Sequence, residues 1–375
     1  MATNERMRAL IFEGPNRLGL REIPRPQPGE GEVLIRVHAA AICGTDVRIV
    51  TGRKTRDVRT GHPIGHECAG VVAAVGAGVT EFAPGDRVAV CVVVSCGTCP
   101  YCRADKENLC RTRITLGYHT DGAFAEYMLI PAHAVRRGNL FRLPNEIPMA
   151  LATLLEPMAC CINGQHEMRL GADETTHEAG KPESLIIFGA GPIGLLHLML
   201  ARARGTGDKQ QRKSAEIEGR NEGETESALI GPITVVEPRP NRRALAAELG
   251  ADATCSPDEF DAVARFDAAI LAVGVPDLVN VALQVVGKSG KVSLFAGFDK
   301  NTCVAIDPNL IHYHQLRVTG ASESRRCDYA EATSLVRRDI VDPSPLLTHR
   351  FHLADYEEAF RVAADGSALK VVFEM

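Results

Sequence analysis

The sequence predicts an α/β protein in two parts: a β-rich part holding both chain ends, and a doubly wound parallel-sheet part set into it. Three observations carry this expectation. Residues 7–86 are dense in glycine and proline and nearly without helical periodicity, the texture of short strands that close into a small barrel. From Ser184 onward strand-like and helix-like runs alternate, which implies parallel strands joined by crossover helices. The chain of 375 residues is also longer than one core usually serves.

In order, Met7–Phe12 and Val33–Ala39 read as strands, separated by the turn-rich stretch 24–31. Ser184–Phe188 reads as a strand leading through glycines into a helix that runs to about Arg204. The alternation continues with strand Ile233–Glu237, helix Arg239–Leu249, strand Asp267–Val273, helix Pro276–Val286 and strand Lys291–Ala296. Beyond about residue 306 the pattern is mixed, with helices over Tyr329–Arg338 and Asp355–Ala364 and a closing strand Leu369–Phe373. The expected division is therefore 1–157 with 306–375 for the β-rich domain, and 158–305 for the α/β domain.

Residues 206–231 stand apart, with ten charged residues and no aromatic one. Such a segment buries too little apolar surface to offset ordering entropy, so a surface insertion is expected there. A smaller polar stretch, 173–183, has the same texture.

The net charge of −5, with 45% hydrophobic and 24% charged residues, excludes a basic nucleic-acid-binding face and an electrostatic membrane anchor. No apolar run is long enough for a transmembrane helix, and no signal-peptide core follows Met1–Arg8. Twelve cysteines without an export signal point to reduced thiols and metal binding, and to a cytoplasmic setting. The expected partner is a small-molecule substrate, with neither nucleic acid nor membrane.

Cys96, Cys99, Cys102 and Cys110 form C-x2-C-x2-C-x7-C. Short loops let successive thiolates converge on one tetrahedral ion, and four of them saturate zinc, so this site is structural. The alternatives are disulfide-bonded or reactive thiols, or an iron–sulfur cluster, but the x3-C-P continuation of ferredoxin-type runs is absent.

A second group is open. Cys43 lies in Cys43-Gly44-Thr45-Asp46, and His66 and Glu67 in Gly65-His66-Glu67-Cys68-Ala69-Gly70. A thiolate and an imidazole suit zinc, and one carboxylate more leaves a coordination position for water or substrate. Glu67 and Glu156, the latter in Leu154-Leu155-Glu156-Pro157, are both candidates. Cys160 and Cys161 are read as small buried packing residues.

Gly189-Ala190-Gly191-Pro192-Ile193-Gly194 follows a strand and opens a helix, the context that makes GxGxxG a dinucleotide turn. The fingerprint also calls for an acidic residue about 20 positions on, at the end of the second strand. Glu237 lies 43 residues beyond Gly194, of which 26 belong to the polar segment. A carboxylate there binds ribose hydroxyls and repels a 2′-phosphate, so NAD is expected in preference to NADP. Arg239, Arg242 and Arg243 follow and supply the charge a phosphate would need, Arg242 being the one placed at the cofactor.

The motifs CGTD, GHExxGxVxxVG, the four-cysteine lobe, LLEP and GxGxxG occur in the order and approximate spacing of the medium-chain zinc-dependent dehydrogenases. The chain resembles that family, above all its sorbitol/iditol and threonine dehydrogenase branch, over nearly all its length apart from 206–231. The resemblance implies a GroES-like catalytic domain and a Rossmann domain, with two zinc ions per chain. It implies that Cys43 and His66 hold the catalytic ion, with Glu67 and Glu156 both serving. Thr45 matches the hydroxyl that takes the substrate proton, and Asp46 the carboxylate that orients the ligating histidine. Arg48 departs from the family, where a histidine is frequent; guanidinium cannot accept a proton, so binding an anionic or polyhydroxylated substrate, or the cofactor, is an alternative role. Val273, Ala296 and Phe298 resemble the segments flanking nicotinamide.

The implied reaction is hydride transfer from a secondary alcohol (a polyol, sugar, cyclitol or similar) to NAD, by a homodimer or homotetramer. The competing readings are an NADPH-dependent carbonyl or enone reductase, a threonine dehydrogenase-like enzyme, and a zinc-stabilised binding protein without catalysis. A nucleotide-preference assay and a count of zinc per chain separate them.

Overall fold

The computed structural model describes residues 5–55, 58–171, 181–205 and 230–375. The chain forms two compact units, one of Met1–Ala159 with Glu323–Met375 and the other of Cys160–Ser322.

The first unit is built on mainly antiparallel sheets, with Leu347–His352 and Lys370–Glu374 paired in parallel. Arg6–Gly14 pairs with Arg17–Pro24 and His62–Pro63 in a three-stranded sheet. A seven-stranded sheet runs Leu140–Arg142, Arg87–Val90, Glu67–Val75, Val33–Ile42, Lys370–Glu374, Leu347–His352, with Tyr127–Ile130 also on Val33–Ile42. Val33–Ile42 is at the centre because it is apolar almost throughout and can be buried on both faces. The C-terminal strand returns to it antiparallel, with Phe373 opposite Ala40. Phe124 meets Phe373 and Phe360 edge-on, with ring centroids 5.3 and 6.0 Å apart, at the heart of the aliphatic core.

The second unit is a six-stranded, all-parallel sheet in the order Ala253–Cys255, Ile230–Val236, Glu183–Phe188, Phe266–Leu271, Val286–Leu294, Arg317–Gly320. In chain order this is 3-2-1-4-5-6, the doubly wound arrangement, and its direction of progress reverses between Glu183–Phe188 and Phe266–Leu271. The carboxyl ends of those two strands are where such sheets bind ligands.

Two sequence expectations are corrected. The return to the first unit does not fall at 306. Asp307 caps the helix Pro308–His314 through Asn309 N, and Arg317–Gly320 then adds the sixth parallel strand, so the boundary lies between Ser322 and Glu323. The polar segment 206–231 also ends sooner than expected, since Ile230 already begins the strand Ile230–Val236. Its remainder, and most of 173–183, lie outside the described residues. Among the described residues no helix is long and apolar enough to cross a membrane.

Candidate active site

Sheet register creates the first site. Val33–Ile42 and Glu67–Val75 are antiparallel with Ala41 opposite Glu67, so the end of one strand lies beside the start of the other. Cys43 and His66 are the residues just outside that pair. Cys43 is the extended N-cap of the helix Gly44–Val50, and Asp46 closes the cap by accepting from Cys43 N at 2.9 Å. On the other side Gly65 turns the chain at φ +98°, where a Cβ would strike Phe124.

Sγ of Cys43, a ring nitrogen of His66 and a carboxylate oxygen of Glu67 lie within 4.8 Å of one another. Asp46 Oδ1 is 3.2 Å from His66 Nδ1, which leaves Nε2 as the ring nitrogen suited to a metal. Burial works against a charged His66, but the Asp46 carboxylate and Cys43 hold its pKa well above the ordinary value. Glu67, fully buried, accepts from Lys370 Nζ at 2.6 Å. Burial opposes the Lys370 charge, but Glu67, Cys43 and Glu156 together outweigh it, so that pKa is raised. One thiol, one imidazole and one carboxylate, buried and converging with an oriented histidine, are a donor set suited to zinc with a position left open.

Glu156 is buried in the first turn of Leu155–Glu167. It is not a member of that three-residue group, although its charge acts on Lys370 and Tyr118. Thr45 lies beside Tyr118 and slightly opposes the rise of its phenol pKa. Arg48 lies in the last turn of the short helix, its carbonyl accepting from Lys54 N at 2.8 Å. Cys160 and Cys161 belong to no described metal-capable group.

Two residues of this site are absent from the sequence reading. The Tyr118 hydroxyl is 3.3 Å from His66 Nε2, and the two ring centroids are 5.0 Å apart. Gly117 and Gly122 bring it there, since a Cβ on either would meet the Gly65 carbonyl at 2.4 or 2.5 Å. Burial, with the charges of Asp46, Cys43 and Glu156, keeps the Tyr118 phenol well above its usual pKa, so it is a neutral hydroxyl. The second residue is Lys370. A lysine beginning an otherwise apolar, buried strand was the signal available for it.

Cys96, Cys99, Cys102 and Cys110 also converge within 4.8 Å, and all twelve cysteines are unbridged. Cys96 Sγ is 3.9 Å and Cys99 Sγ 3.6 Å from Cys102 Sγ. The Thr98 and Cys99 amides point at Cys96 Sγ from 3.4 and 3.3 Å. Led by the Thr98 amide, these donors bring the Cys96 thiol down to about 5. Burial pushes the Cys102 thiol the other way, up to about 11, but four converging sulfurs are a donor set suited to a closed metal site.

In the second unit, Gly189 follows Phe188 at φ +99°, and a Cβ on Gly194 would lie 1.8 Å from the Gly189 carbonyl. The turn thus packs against its own helix, Pro192–Gly205, as a phosphate cradle requires. Ala190, Gly191, Pro192 and Ile193 complete that turn and open the helix. Glu237 follows the neighbouring strand Ile230–Val236 and is buried; its carboxylate accepts from Ala190 N at 2.8 Å and Arg239 N at 3.0 Å. Arg243 Nη1 caps the Glu237 and Pro238 carbonyls, each at 2.8 Å. Arg242 is half-buried, which lowers its pKa despite the opposing Glu237 charge. Val273 lies against Gly189, and Ala296 N bonds the Leu271 carbonyl at 2.9 Å. Phe298 is partly buried and packs against the apolar core of the second unit.

A β-rich unit with two metal-capable groups, coupled in one chain to a dinucleotide-type sheet, defines a zinc-binding dehydrogenase. Comparison with known proteins agrees. Residues 29–139 match the alcohol dehydrogenase GroES-like domain, and residues 228–338 match the zinc-binding dehydrogenase domain. The L-threonine 3-dehydrogenase of Pyrococcus furiosus is 33% identical, over 99% of each chain. A zinc-binding dehydrogenase from Sinorhizobium meliloti 1021, solved with NADP, superposes with TM-score 0.83 at 27% identity, over 99% of this chain and 100% of the other. An alcohol dehydrogenase from Thermus sp. ATN1 gives TM-score 0.80 at 25% identity, over 98% and 99%. The chain belongs to the medium-chain, zinc-dependent alcohol dehydrogenase family. It is an oxidoreductase with zinc and NAD(P) as its cofactors.

Proposed function

We propose that this enzyme oxidises a secondary alcohol to a ketone with NAD, using the Cys43 group as its reacting centre. The convergence of Cys43, His66 and Glu67 in one buried group, with Asp46 behind His66, is the observation that carries the reading. Zinc bound there would supply a Lewis acid that eases loss of the hydroxyl proton, and the nucleotide a hydride acceptor.

The chain's own residues do the remaining work. Asp46 keeps the His66 proton on Nδ1 and so turns Nε2 to the metal. Glu67 is the third donor, held by Lys370, and Glu156 is the carboxylate available to take its turn. Thr45 would accept the substrate hydroxyl proton while passing its own proton outward to solvent, with the neutral Tyr118 hydroxyl beside it. Gly189–Gly194 cradles the pyrophosphate. Glu237, buttressed by two backbone amides, binds the adenosine ribose and disfavours a 2′-phosphate, which supports NAD despite the three arginines that follow.

A second reading is oxidation of L-threonine, whose 3-hydroxyl is also a secondary alcohol. The names of the relatives at 30–33% identity support it. A panel of secondary alcohols including sorbitol and L-threonine, assayed with NAD and with NADP, tests both. Reduction of NAD by at least one of them is expected. Turnover with NADP alone, unchanged in Glu237→Ser, would contradict the nucleotide assignment.

A further inference from the structure

The four-cysteine lobe is fastened to the place where the chain enters the first unit for the second time, at Glu323. Just beyond the lobe, Arg113 Nε donates to Glu323 Oε2 at 2.6 Å and Arg113 Nη2 to Oε1 at 3.3 Å. Thr115 Oγ1 is 3.4 Å from the same Oε1. Glu323 takes φ +59°, a left-handed backbone that a glutamate seldom adopts unless its surroundings hold it.

Three residues on, the signs are exchanged. Glu107, inside the lobe between Cys102 and Cys110, accepts from Arg326 N at 2.6 Å and from Arg326 Nε at 3.0 and 3.1 Å. Arg326 opens the helix Arg326–Arg337. The first amides of a helix have no partner within it, so this carboxylate also meets the positive end of the helix dipole. Glu107 Oε2 is 3.4 Å from Arg137 Nη2 and 3.3 Å from Ser95 Oγ. Arg326 Nη1 in turn donates to the Arg137 carbonyl. Glu107 is buried, so solvent screens these charge-assisted bonds little.

The same residue touches the metal-binding sulfurs' own backbone. The Glu107 carbonyl accepts from Cys110 N at 3.0 Å. Arg137, which its carboxylate holds, lies against the loop after Cys96, where a Cβ on Gly97 would be 2.5 Å from Arg137 Nη1. A divalent zinc ion with four thiolates carries a net double negative charge, and a guanidinium beside it favours that state.

We propose that Glu107 is a positioning residue that links metal binding by the four cysteines to the anchoring of residues 323–326. The ion holds Cys110 and the Cys96 loop where Glu107 meets Arg326. The anchored Arg326 holds Glu107 and Arg137 where they favour the ion. Linkage makes the effect reciprocal, each event stabilising the other to the same extent.

Full-length Cys43→Ser enzyme loaded with cobalt tests this. With the Cys43 thiol removed, thiolate-to-cobalt absorption reads the lobe alone, whatever the Cys43 group does. Cobalt release into a chelator should be at least about tenfold faster when Glu107→Gln or Arg326→Gln is added, the lower end of what partners of metal ligands contribute. Lys370→Met breaks a different buried pair of the same unit; it should lower Tm without speeding release. Hydrogen exchange at the amides of residues 325–328 should rise at least about tenfold when cobalt is removed, while Val33–Ile42 stays protected. Release unchanged in either Glu107→Gln or Arg326→Gln, or speeded equally by Lys370→Met, overturns the proposal. So does exchange at 325–328 that ignores the metal, or that rises no more than exchange in Val33–Ile42. None of these readouts involves turnover, so the dehydrogenase reading stands or falls separately.

Discussion

Asp46 Oδ1 lies 3.2 Å from His66 Nδ1 while Asp46 Oδ2 accepts from Cys43 N at 2.9 Å. One buried carboxylate thus orients the imidazole and fixes the backbone of the thiol residue beside it. The same side chain that caps a seven-residue helix also sets the geometry of the proposed metal centre.

Asp46→Asn should keep the cap, because an amide oxygen can still accept from Cys43 N, and lose the charge that favours a basic His66. Partners of ligating histidines typically contribute 10–100-fold to metal affinity or activity. Competition with a chelator should show one zinc per chain weakened by about that factor, with the four-cysteine site unchanged. Unaltered metal affinity and rate would mean that Asp46 serves only the helix.

Lys370→Met should be costly because it strands a fully buried Glu67 carboxylate. Removing one partner of a buried pair typically costs about 3–5 kcal/mol, whereas replacing both is far milder. Thermal denaturation should show a large fall in Tm for Lys370→Met and partial recovery in Lys370→Met/Glu67→Gln. An unchanged Tm in the single variant would show that Glu67 has another counter-charge.

His197, buried in the second unit, has its edge against the Phe295 ring at 4.5 Å and Gln165 Nε2 3.4 Å from Nδ1. Burial brings its pKa down to about 3. Below pH 6.5 the unfolded chain binds a proton there that the folded chain refuses, so stability is lost as pH falls from about 6.5 toward 3. The limiting slope for one such group is about 1.4 kcal/mol per pH unit. His197→Asn should start from a lower Tm at neutral pH but lose less between pH 6.5 and 4.5. Parallel profiles would contradict a neutral His197.

The parts of this site that local spacing encodes were readable from the sequence. The four cysteines lie within one lobe, the glycine turn within six residues, and the Cys43 and His66 motifs flank adjacent strands. Tyr118 and Lys370 were not readable, because they meet their partners across 52 and 303 residues. Nothing local distinguishes Tyr118 from an ordinary turn residue, and the one sign of Lys370 is a lysine opening a buried strand, which does not name its partner. The late domain boundary was obscured by a final parallel strand of four residues, half of them exposed. The Asp307-Pro308 helix start before it was the overlooked sign. Glu156 shows a different limit: its motif is legible, but whether it or Glu67 holds the metal depends on distances that the sequence does not contain.

The most direct measurement is zinc stoichiometry with nucleotide binding in Cys43→Ser. The account predicts two zinc ions per chain in the native enzyme and one in the variant. It also predicts alcohol oxidation lowered by at least about a thousandfold and unchanged NADH binding by fluorescence titration. A variant that keeps both ions, or one that loses an ion and still oxidises alcohol at the native rate, would contradict the assignment of Cys43 to the reacting centre.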